Sequence, residues 1–189
     1  MRTDIEMHAA RRSAGIAGSA VLSLLLAVVL LAGAGGCARA TAGDVEEARA
    51  AAAVVPGLPE WSVTFSAGRD PAADLELALA AAREHERRVL VMVGGDWCVW
   101  CFLLDRHFRE DPEAARLFYE GFEVLRVYYG DDNPNKAFLD GFPDFEMFPH
   151  FFVVETDGRV LASVTADVLI ADAKYQTSLI RSFAKHWRM

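Results

Sequence analysis

Short apolar runs along the chain predict the strands of a β-sheet. Residues 89–93 form a run whose length and β-branched content are typical of a buried strand. Runs of similar character follow at residues 122–128, 151–154 and 160–164. Residues 61–65 alternate apolar and polar side chains, and this pattern predicts a short edge strand at the start of the domain.

Helical spacing of the apolar residues appears between these runs. The predicted helices cover residues 72–88, 102–108, 113–119, 134–140 and 172–187. Asp70 and Asp111 each precede a proline, and this pair is a common helix start, with aspartate as the cap and proline as the first helical residue. Asn133 is the predicted cap of the short fourth helix.

The order of these elements, β-α-β-α-β-α-β-β-α, decides the expected fold class. Strands separated by helices imply crossover connections and parallel pairing. The Asp-Gly pair at residues 157–158 predicts an antiparallel hairpin between the last two strands. The sequence therefore predicts an α/β fold with a mixed central β-sheet flanked by helices on both faces.

Composition limits the number of domains and the classes of partner that the chain is expected to have. The chain has 189 residues, of which 53% are hydrophobic, so it suits one domain whose core needs no structural disulfides. The formal net charge is −8. We expect no nucleic-acid partner, because no basic patch is present to neutralise phosphates.

The N-terminal segment has the layout of an export signal. Arg2, Arg11 and Arg12 precede a long apolar run at residues 14–34, and small residues then lead to Cys37. The Ala-Gly-Gly-Cys sequence that ends there resembles a bacterial lipoprotein processing site, although leucine is usual at its first position. The resemblance implies cleavage before Cys37 and lipidation of this cysteine.

Two other interpretations of this segment are open: ordinary cleavage after Ala40, or an uncleaved anchor formed by residues 14–34. All three place the rest of the chain on the periplasmic or extracytoplasmic side of a membrane, where disulfides persist. The predicted plan is an export signal over residues 1–37, a linker over residues 38–60 and a folded domain over residues 61–189.

Two cysteines follow the first buried strand. Cys98 and Cys101 are separated by Val99 and Trp100 and lie where residues 89–93 pass into a helix. At the first turn of a helix, unpaired N–H groups and the helix dipole favour a thiolate, so we expect Cys98 to be an exposed nucleophile. Cys101, one turn further in and more enclosed, is positioned to resolve a mixed disulfide.

The Cys-x-x-Cys spacing also occurs in metal sites. A structural zinc site needs a second pair of ligands, and the only other cysteine of the chain is Cys37. A copper(I) or zinc handling protein that uses Cys98, Cys101 and His150 is the alternative from another class. A redox-inactive interaction module of the same fold is the third interpretation.

The motif and the element order together resemble the thioredoxin fold over residues 61–187. The pattern is similar to exported thioredoxin-like proteins and to the C-terminal domain of periplasmic disulfide reductases. The matching residues are Asp96, Trp97, Cys98, Val99, Cys101, Leu104 and Asp105. The resemblance implies that Pro149, just before the hairpin, is cis, faces the cysteines and receives a client segment as an added strand.

The chain departs from thioredoxins at two places. Met92 stands where thioredoxins have a buried aspartate that accepts the proton of the second cysteine. Asp105 is a candidate replacement, since it lies four residues after Cys101 on the same helix face, and a helix-surface aspartate paired with Arg109 is the alternative. The residues between the cysteines include no histidine, which favours a reductant or isomerase over a strong oxidant.

Four residues are candidates for contact with the client. Trp97, Trp100 and Phe148 are expected to surround the sulfurs as an apolar docking surface, and core packing is an equal alternative for Trp97. His150 is a candidate for adjusting the reactivity of the cysteine pair, and the alternative is a residue that only packs in the core.

These expectations define the predicted activity and its partners. The protein is expected to be an exported thiol-disulfide oxidoreductase of the protein disulfide reductase type. It would act on cysteines or disulfides of client proteins and exchange electrons with a redox partner protein. No cofactor is expected, because Gly94 and Gly95 lack the spacing of a phosphate-binding loop.

Overall fold

The computed structural model describes residues 55–189. Six α-helices and six β-strands are assigned within this range. The helices are α1 (Glu60–Val63), α2 (Pro71–His85), α3 (Val99–Glu110), α4 (Pro112–Tyr119), α5 (Lys136–Leu139) and α6 (Thr177–Trp187). The strands are β1 (Arg88–Gly94), β2 (Phe122–Tyr128), β3 (His150–Val154), β4 (Val160–Thr165), β5 (Ile170–Ala171) and β6 (Lys174–Tyr175).

The central sheet has four strands in the order β2-β1-β3-β4. Strands β1 and β2 run parallel, whereas β3 is antiparallel to both β1 and β4. The hairpin between β3 and β4 turns at Gly158, whose φ of 91° lies in the left-handed region that glycine adopts without strain. The predicted mixed sheet and its C-terminal hairpin are confirmed.

Alternate residues of the strands cover two separate apolar cores. On one face, Met92 and Phe151 pack with residues of α3, α4 and α6. On the other face, Val91 and Phe152 pack with α2 and with Trp61 of α1. Because strand side chains alternate in direction, each of the two helical layers covers one set of positions. The predicted arrangement of helices on both faces is confirmed.

The aspartate caps form as the sequence predicts. Asp70 accepts hydrogen bonds from the N–H groups of Ala72 and Ala73. Asp111 ends α3 and caps α4, where its Oδ1 accepts from Glu113 and Ala114. The predicted break between these two helices is therefore present, and a proline begins the second of them.

The predicted edge strand at residues 61–65 is wrong. Residues 60–63 form a single helical turn after Pro59, and Trp61 and Val63 are buried. The free carbonyl of Ser62 accepts a hydrogen bond from the buried Arg126 side chain at 3.0 Å. An alternating pentapeptide does not distinguish a strand from a helical turn, and this tertiary contact favours the turn.

The last two helices also begin later than predicted. The final helix begins at Thr177 rather than at residue 172, because residues 166–175 form a 3-10 turn and the β5–β6 hairpin. The turn between β5 and β6 contains no glycine, although its residues Asp172 and Ala173 both adopt a positive φ. Helix α5 begins after Asn135, which also has a positive φ, so Asn133 is not its cap. Asn133 instead accepts a hydrogen bond from the Asn135 N–H.

The expected signal at residues 1–37, the first part of the linker and Cys37 lie outside the described residues. Within residues 55–189, no helix has both the length and the apolar content needed to cross a membrane.

Candidate functional site

The candidate site begins where β1 passes into α3. Cys98 is the N-cap of α3, with the extended backbone typical of that position, and its N–H donates to the Gly95 carbonyl at 3.1 Å. Its Sγ accepts a hydrogen bond from the Cys101 N–H at 3.1 Å. The sulfur thus occupies the place that a side-chain oxygen takes in an ordinary helix cap.

Cys98 and Cys101 form a disulfide with a Cα–Cα distance of 5.2 Å. Cys98 is 4% exposed and Cys101 is 2% exposed. The prediction of an exposed Cys98 is therefore wrong for this oxidised form. The reason is that its sulfur turns back into the helix N-terminus, is bonded to Cys101 and belongs to the core between the sheet and α3.

Gly94 allows the second sulfur to lie against the end of β1. A Cβ atom at this position would be 2.5 Å from Cys101 Sγ and 3.0 Å from the ring of Phe65. Any larger residue would displace one of these neighbours, so glycine is required by close approach rather than by backbone conformation. The sequence-based reasoning did not recognise this role.

A buried ion pair involves Asp105, which lies four residues after Cys101 in α3. Arg126 of β2 donates to both oxygens of Asp105 at 2.8 and 2.5 Å. It also donates to the Tyr119 hydroxyl at 2.7 Å and to the Ser62 carbonyl. Asp105 and Arg126 are both buried, so the pair depends on these mutual contacts.

The electrostatics of this cluster follow from burial and from the pair. Burial is the largest single effect on Arg126 and lowers its pKa, but the charges of Asp105 and Tyr119 and the hydrogen bonds to both residues together outweigh burial, so the net pKa is raised. Burial raises the pKa of Tyr119, and Arg126 partly opposes this increase. Removing one member of a buried pair typically costs about 3–5 kcal/mol, so Asp105 and Arg126 depend on each other for stability.

Arg126 is a residue of the candidate site to which the sequence assigned no role. Its signal is a charged residue near the middle of β2, a strand predicted to be buried, in which Glu123 is the other charged residue. A buried guanidinium requires an acidic partner. That partner, Asp105, is 21 residues away in sequence, and only the parallel register of β1 and β2 under α3 brings them together.

The β5–β6 hairpin contacts the motif from the other side. The Tyr175 hydroxyl donates to the Trp100 carbonyl, between the two cysteines, at 3.0 Å. Burial raises the pKa of Tyr175, and the charge of Asp105 raises it further. The carboxylate of Asp105 therefore lies within electrostatic range of a hydroxyl that is bonded to the dithiol turn.

The Phe148–Pro149 peptide bond is cis, as the resemblance implies. Pro149 is buried, and its carbonyl accepts a hydrogen bond from Ala166 at 3.2 Å. The ring of Phe148 makes an edge contact with Trp97 at 5.1 Å between centroids. Since Trp97 precedes Cys98 directly, this contact joins the proline loop to the dithiol turn.

The aromatic residues divide between the two flanks of the disulfide. Trp97 is 48% exposed and donates its Nε1–H to the Tyr129 carbonyl at 2.7 Å. Trp100 is 38% exposed and contacts the ring of Tyr175 at 6.1 Å. The core-packing interpretation of Trp97 is wrong, because half of this side chain faces solvent.

His150 lies on the opposite face of the sheet from the cysteines. Its ring packs against Phe145 and Phe152, and its Nε2 is 2.8 Å from the Ser163 hydroxyl. Burial lowers its pKa, and its Nδ1 has no hydrogen-bond partner among the described residues. This placement favours the packing interpretation over tuning of the cysteines. Within residues 55–189, no group of three or more His, Cys, Asp or Glu side chains is arranged to hold a metal ion.

Comparisons with known proteins find similarity to a thioredoxin-like family model and to two solved structures. A family model described as thioredoxin-like matches residues 70–156. A solved disulphide isomerase from Xylella fastidiosa Temecula1 is 26% identical, with a TM-score of 0.55, and the match covers 64% of this chain and 93% of that one. The oxidised C-terminal domain of DsbD from Neisseria meningitidis is 20% identical, with a TM-score of 0.48, and its match covers 66% and 99% of the two chains. No curated protein matches the chain.

The mixed sheet and its flanking helices define an α/β protein of thioredoxin-like fold. Residues 70–156 match a thioredoxin-like family model, and this similarity agrees with the resemblance in motif and element order. Fold and comparisons together support thiol-disulfide oxidoreduction as the general class of chemistry.

Proposed function

We propose that this protein uses Cys98 and Cys101 to reduce or isomerise disulfides in client proteins. The observation that carries the proposal is the disulfide itself, which joins the N-cap of α3 to the next turn of the same helix. The similarity to a solved disulphide isomerase supports the same chemistry. Pro149, Trp97, Trp100 and Phe148 are the residues to which we assign contact with the client.

The reaction begins from the reduced dithiol. The thiolate of Cys98 attacks one sulfur of a client disulfide, forms a mixed disulfide and releases the other client sulfur as a thiolate. Cys101 then loses its proton and attacks Cys98 Sγ, which forms the observed intramolecular disulfide and releases the second client thiolate. Two electrons pass to the client, and each released thiolate takes up a proton.

Cys98 is assigned the first attack because of its place on the helix. The Cys101 N–H already donates to its sulfur, and the positive end of the helix dipole lies at this position. Both effects stabilise a thiolate. A partner protein with a dithiol of its own must supply two electrons and two protons to regenerate the reduced form. The Val-Trp pair between the cysteines lacks the histidine of strong oxidants, which favours this direction.

We assign proton acceptance from Cys101 to Asp105. Each carboxylate oxygen has two acceptor sites, and Arg126 uses one on each, so two are left for further hydrogen bonds. Asp105 lies at i+4 from Cys101, a spacing that puts side chains about 5–6 Å apart at their Cβ atoms. The pair with Arg126 holds the carboxylate in one position below the second cysteine.

The proposal also covers the cellular location of the protein. We infer that residues 1–37 direct export and that Cys37 becomes a lipidated N-terminus, which tethers the domain to a membrane. The support is the charged, apolar and small-residue order of this segment. In an extracytoplasmic compartment, client disulfides persist and offer substrates to an exported dithiol.

A Cys101→Ala variant should trap clients. Without the second sulfur, the mixed disulfide on Cys98 cannot be resolved, and client adducts should accumulate. Cells expressing the variant are acid-quenched and alkylated, and adducts are identified by non-reducing electrophoresis and mass spectrometry of the Cys98 peptide. A Cys98→Ala, Cys101→Ala double variant is the control for adducts at Cys37. Recovery of no adduct on Cys98 would contradict the proposal.

An Asp105→Asn variant should slow the resolving step. Loss of a positioned base typically costs about 100-fold or more, and the rate should become steeply dependent on pH above neutrality as hydroxide replaces the carboxylate. The measurement is the rate of thiol release from a preformed Cys98 mixed disulfide across about pH 6–9.

Tyr119→Phe is the matched control, because it removes a hydrogen bond to the same Arg126 and leaves the carboxylate in place. Asp105→Glu, which keeps a carboxylate, should recover part of the rate. Equal slowing in the asparagine and phenylalanine variants would show that the network has a structural role only.

The mature N-terminus tests the location. In membranes of the native host, mass spectrometry should find a chain that begins at Cys37 and carries acyl groups. A Cys37→Ser variant should lose the modification and leave the membrane fraction. An unmodified chain beginning at Thr41 would contradict lipidation.

A further inference from the structure

A groove of about 780 Å³ lies beside the dithiol, on the flank of Trp97. We call it the aromatic groove. Its members are side chains of the β2–α5 connection, α5 and the loop before β3; they include Tyr129, Leu139, Phe142, Phe145 and Phe148. Its volume is in the range of sites that bind several apolar groups.

The aromatic groove is continuous with the dithiol turn through a chain of ring contacts. Trp97 contacts Phe148 at 5.1 Å, Phe148 stacks on Tyr129 at 5.2 Å, and Phe145 contacts both of these residues. Phe148 precedes the cis proline and Trp97 precedes Cys98. A chain whose sulfur reaches Cys98 therefore has this groove directly beside it.

Acidic side chains surround the apolar floor. Asp144 and Glu146 line the groove, are exposed and have no side-chain hydrogen bond or ion pair among the described residues. Lys136 is the one cation among the described lining residues, and Asp140 pairs with it at 2.5 Å. The rim therefore carries uncompensated negative charge.

A second group of carboxylates extends this charge to the cysteines. Asp96, Asp131 and Asp132 all act on the hydroxyl of Tyr128, whose pKa is raised first by burial and then by these three charges. The same hydroxyl lies near Gly130, at the turn that faces the Trp97 indole. The negative potential therefore runs from the dithiol turn along the groove.

The excess of acidic side chains is confined to the Trp97 side of the disulfide. On the other side of the disulfide, the small cleft beside Trp100 and Tyr175 is lined by Arg106 and Lys174. Glu110 is the carboxylate in that lining, and it lies 3.8 Å from Arg106. The surface charge thus changes sign across the dithiol, and the net charge of the chain does not by itself explain the acidic rim.

We propose that the aromatic groove binds an extended client segment with an aromatic or aliphatic side chain beside the reacting cysteine and with lysine or arginine around it. This inference rests on the proposed function and names its substrate class. The apolar floor takes the large side chain out of water, and the acidic rim attracts the basic residues. An acidic segment is repelled at the same rim, which supplies discrimination.

Three matched peptides test the proposal with the full-length reduced protein. Each has one cysteine in a mixed disulfide with thionitrobenzoate and a neighbouring phenylalanine, and the flanking residues are lysine, glutamine or glutamate. In a single turnover, in which the dithiol of the protein supplies the two electrons, the rate of thionitrobenzoate release gives the second-order rate constant for each peptide. We expect the order lysine, glutamine, glutamate, with about 10-fold between the extremes at about 20 mM salt and less than about 3-fold at about 500 mM.

Two double variants test which carboxylates cause the preference for the lysine peptide. In Asp144→Asn, Glu146→Gln, the preference for the lysine peptide over the glutamate peptide should fall below about 3-fold, because the rim loses two charges. The matched control is Glu76→Gln, Glu84→Gln, which makes the same charge change at exposed positions of α2 that do not line the groove. The control should keep the wild-type preference.

The outcomes separate the two proposals. Equal turnover of the three peptides by the wild-type protein would overturn the binding inference and leave the oxidoreductase intact. A preference that persists unchanged in the groove variant would also overturn it, since the charges would then act elsewhere. Failure to reduce any of the peptides would contradict the proposed function itself.

Discussion

The position of the dithiol depends on the buried ion pair between Asp105 and Arg126. Asp105 comes from α3, which carries both cysteines, and Arg126 comes from the parallel strand β2. Further hydrogen bonds from the guanidinium reach α1 at Ser62 and α4 at Tyr119. Four elements therefore meet at one buried charge, and one of them is the helix that carries the two cysteines.

This arrangement differs in an instructive way from the thioredoxin pattern that the sequence resembles. Met92, inside β1, replaces the strand aspartate with an apolar side chain, and the carboxylate is instead supplied by the helix at Asp105. Because Asp105 belongs to the helix that bears the cysteines, its position relative to them is fixed by the helix itself. A partner on β2 then fixes that helix to the sheet, so the ion pair combines a structural contact with the proposed proton acceptor.

The sequence was informative where structure is decided locally. The apolar run of β1, the aspartate caps and the Asp-Gly hairpin each depend on a few neighbouring residues, and all of them are present. The predictions are wrong where contacts between residues far apart in sequence determine the local structure. Residues 61–65 became a helical turn whose carbonyl meets Arg126, and the residues before α6 form a hairpin whose turn contains no glycine. The role of Arg126 and the close approach at Gly94 were missed because each needs a partner that is remote in sequence.

The proposed chemistry requires that Cys98, once reduced, is a thiolate near neutral pH. The direct measurement is the rate of iodoacetamide alkylation at pH 7, followed cysteine by cysteine with mass spectrometry of the reduced full-length protein. An ordinary cysteine is only a few per cent thiolate at this pH, so Cys98 should react about 5- to 10-fold faster than a model thiol, whereas Cys101 should react more slowly. If neither cysteine reacts faster than the model thiol, the helix N-terminus does not activate Cys98 and the proposed chemistry is contradicted.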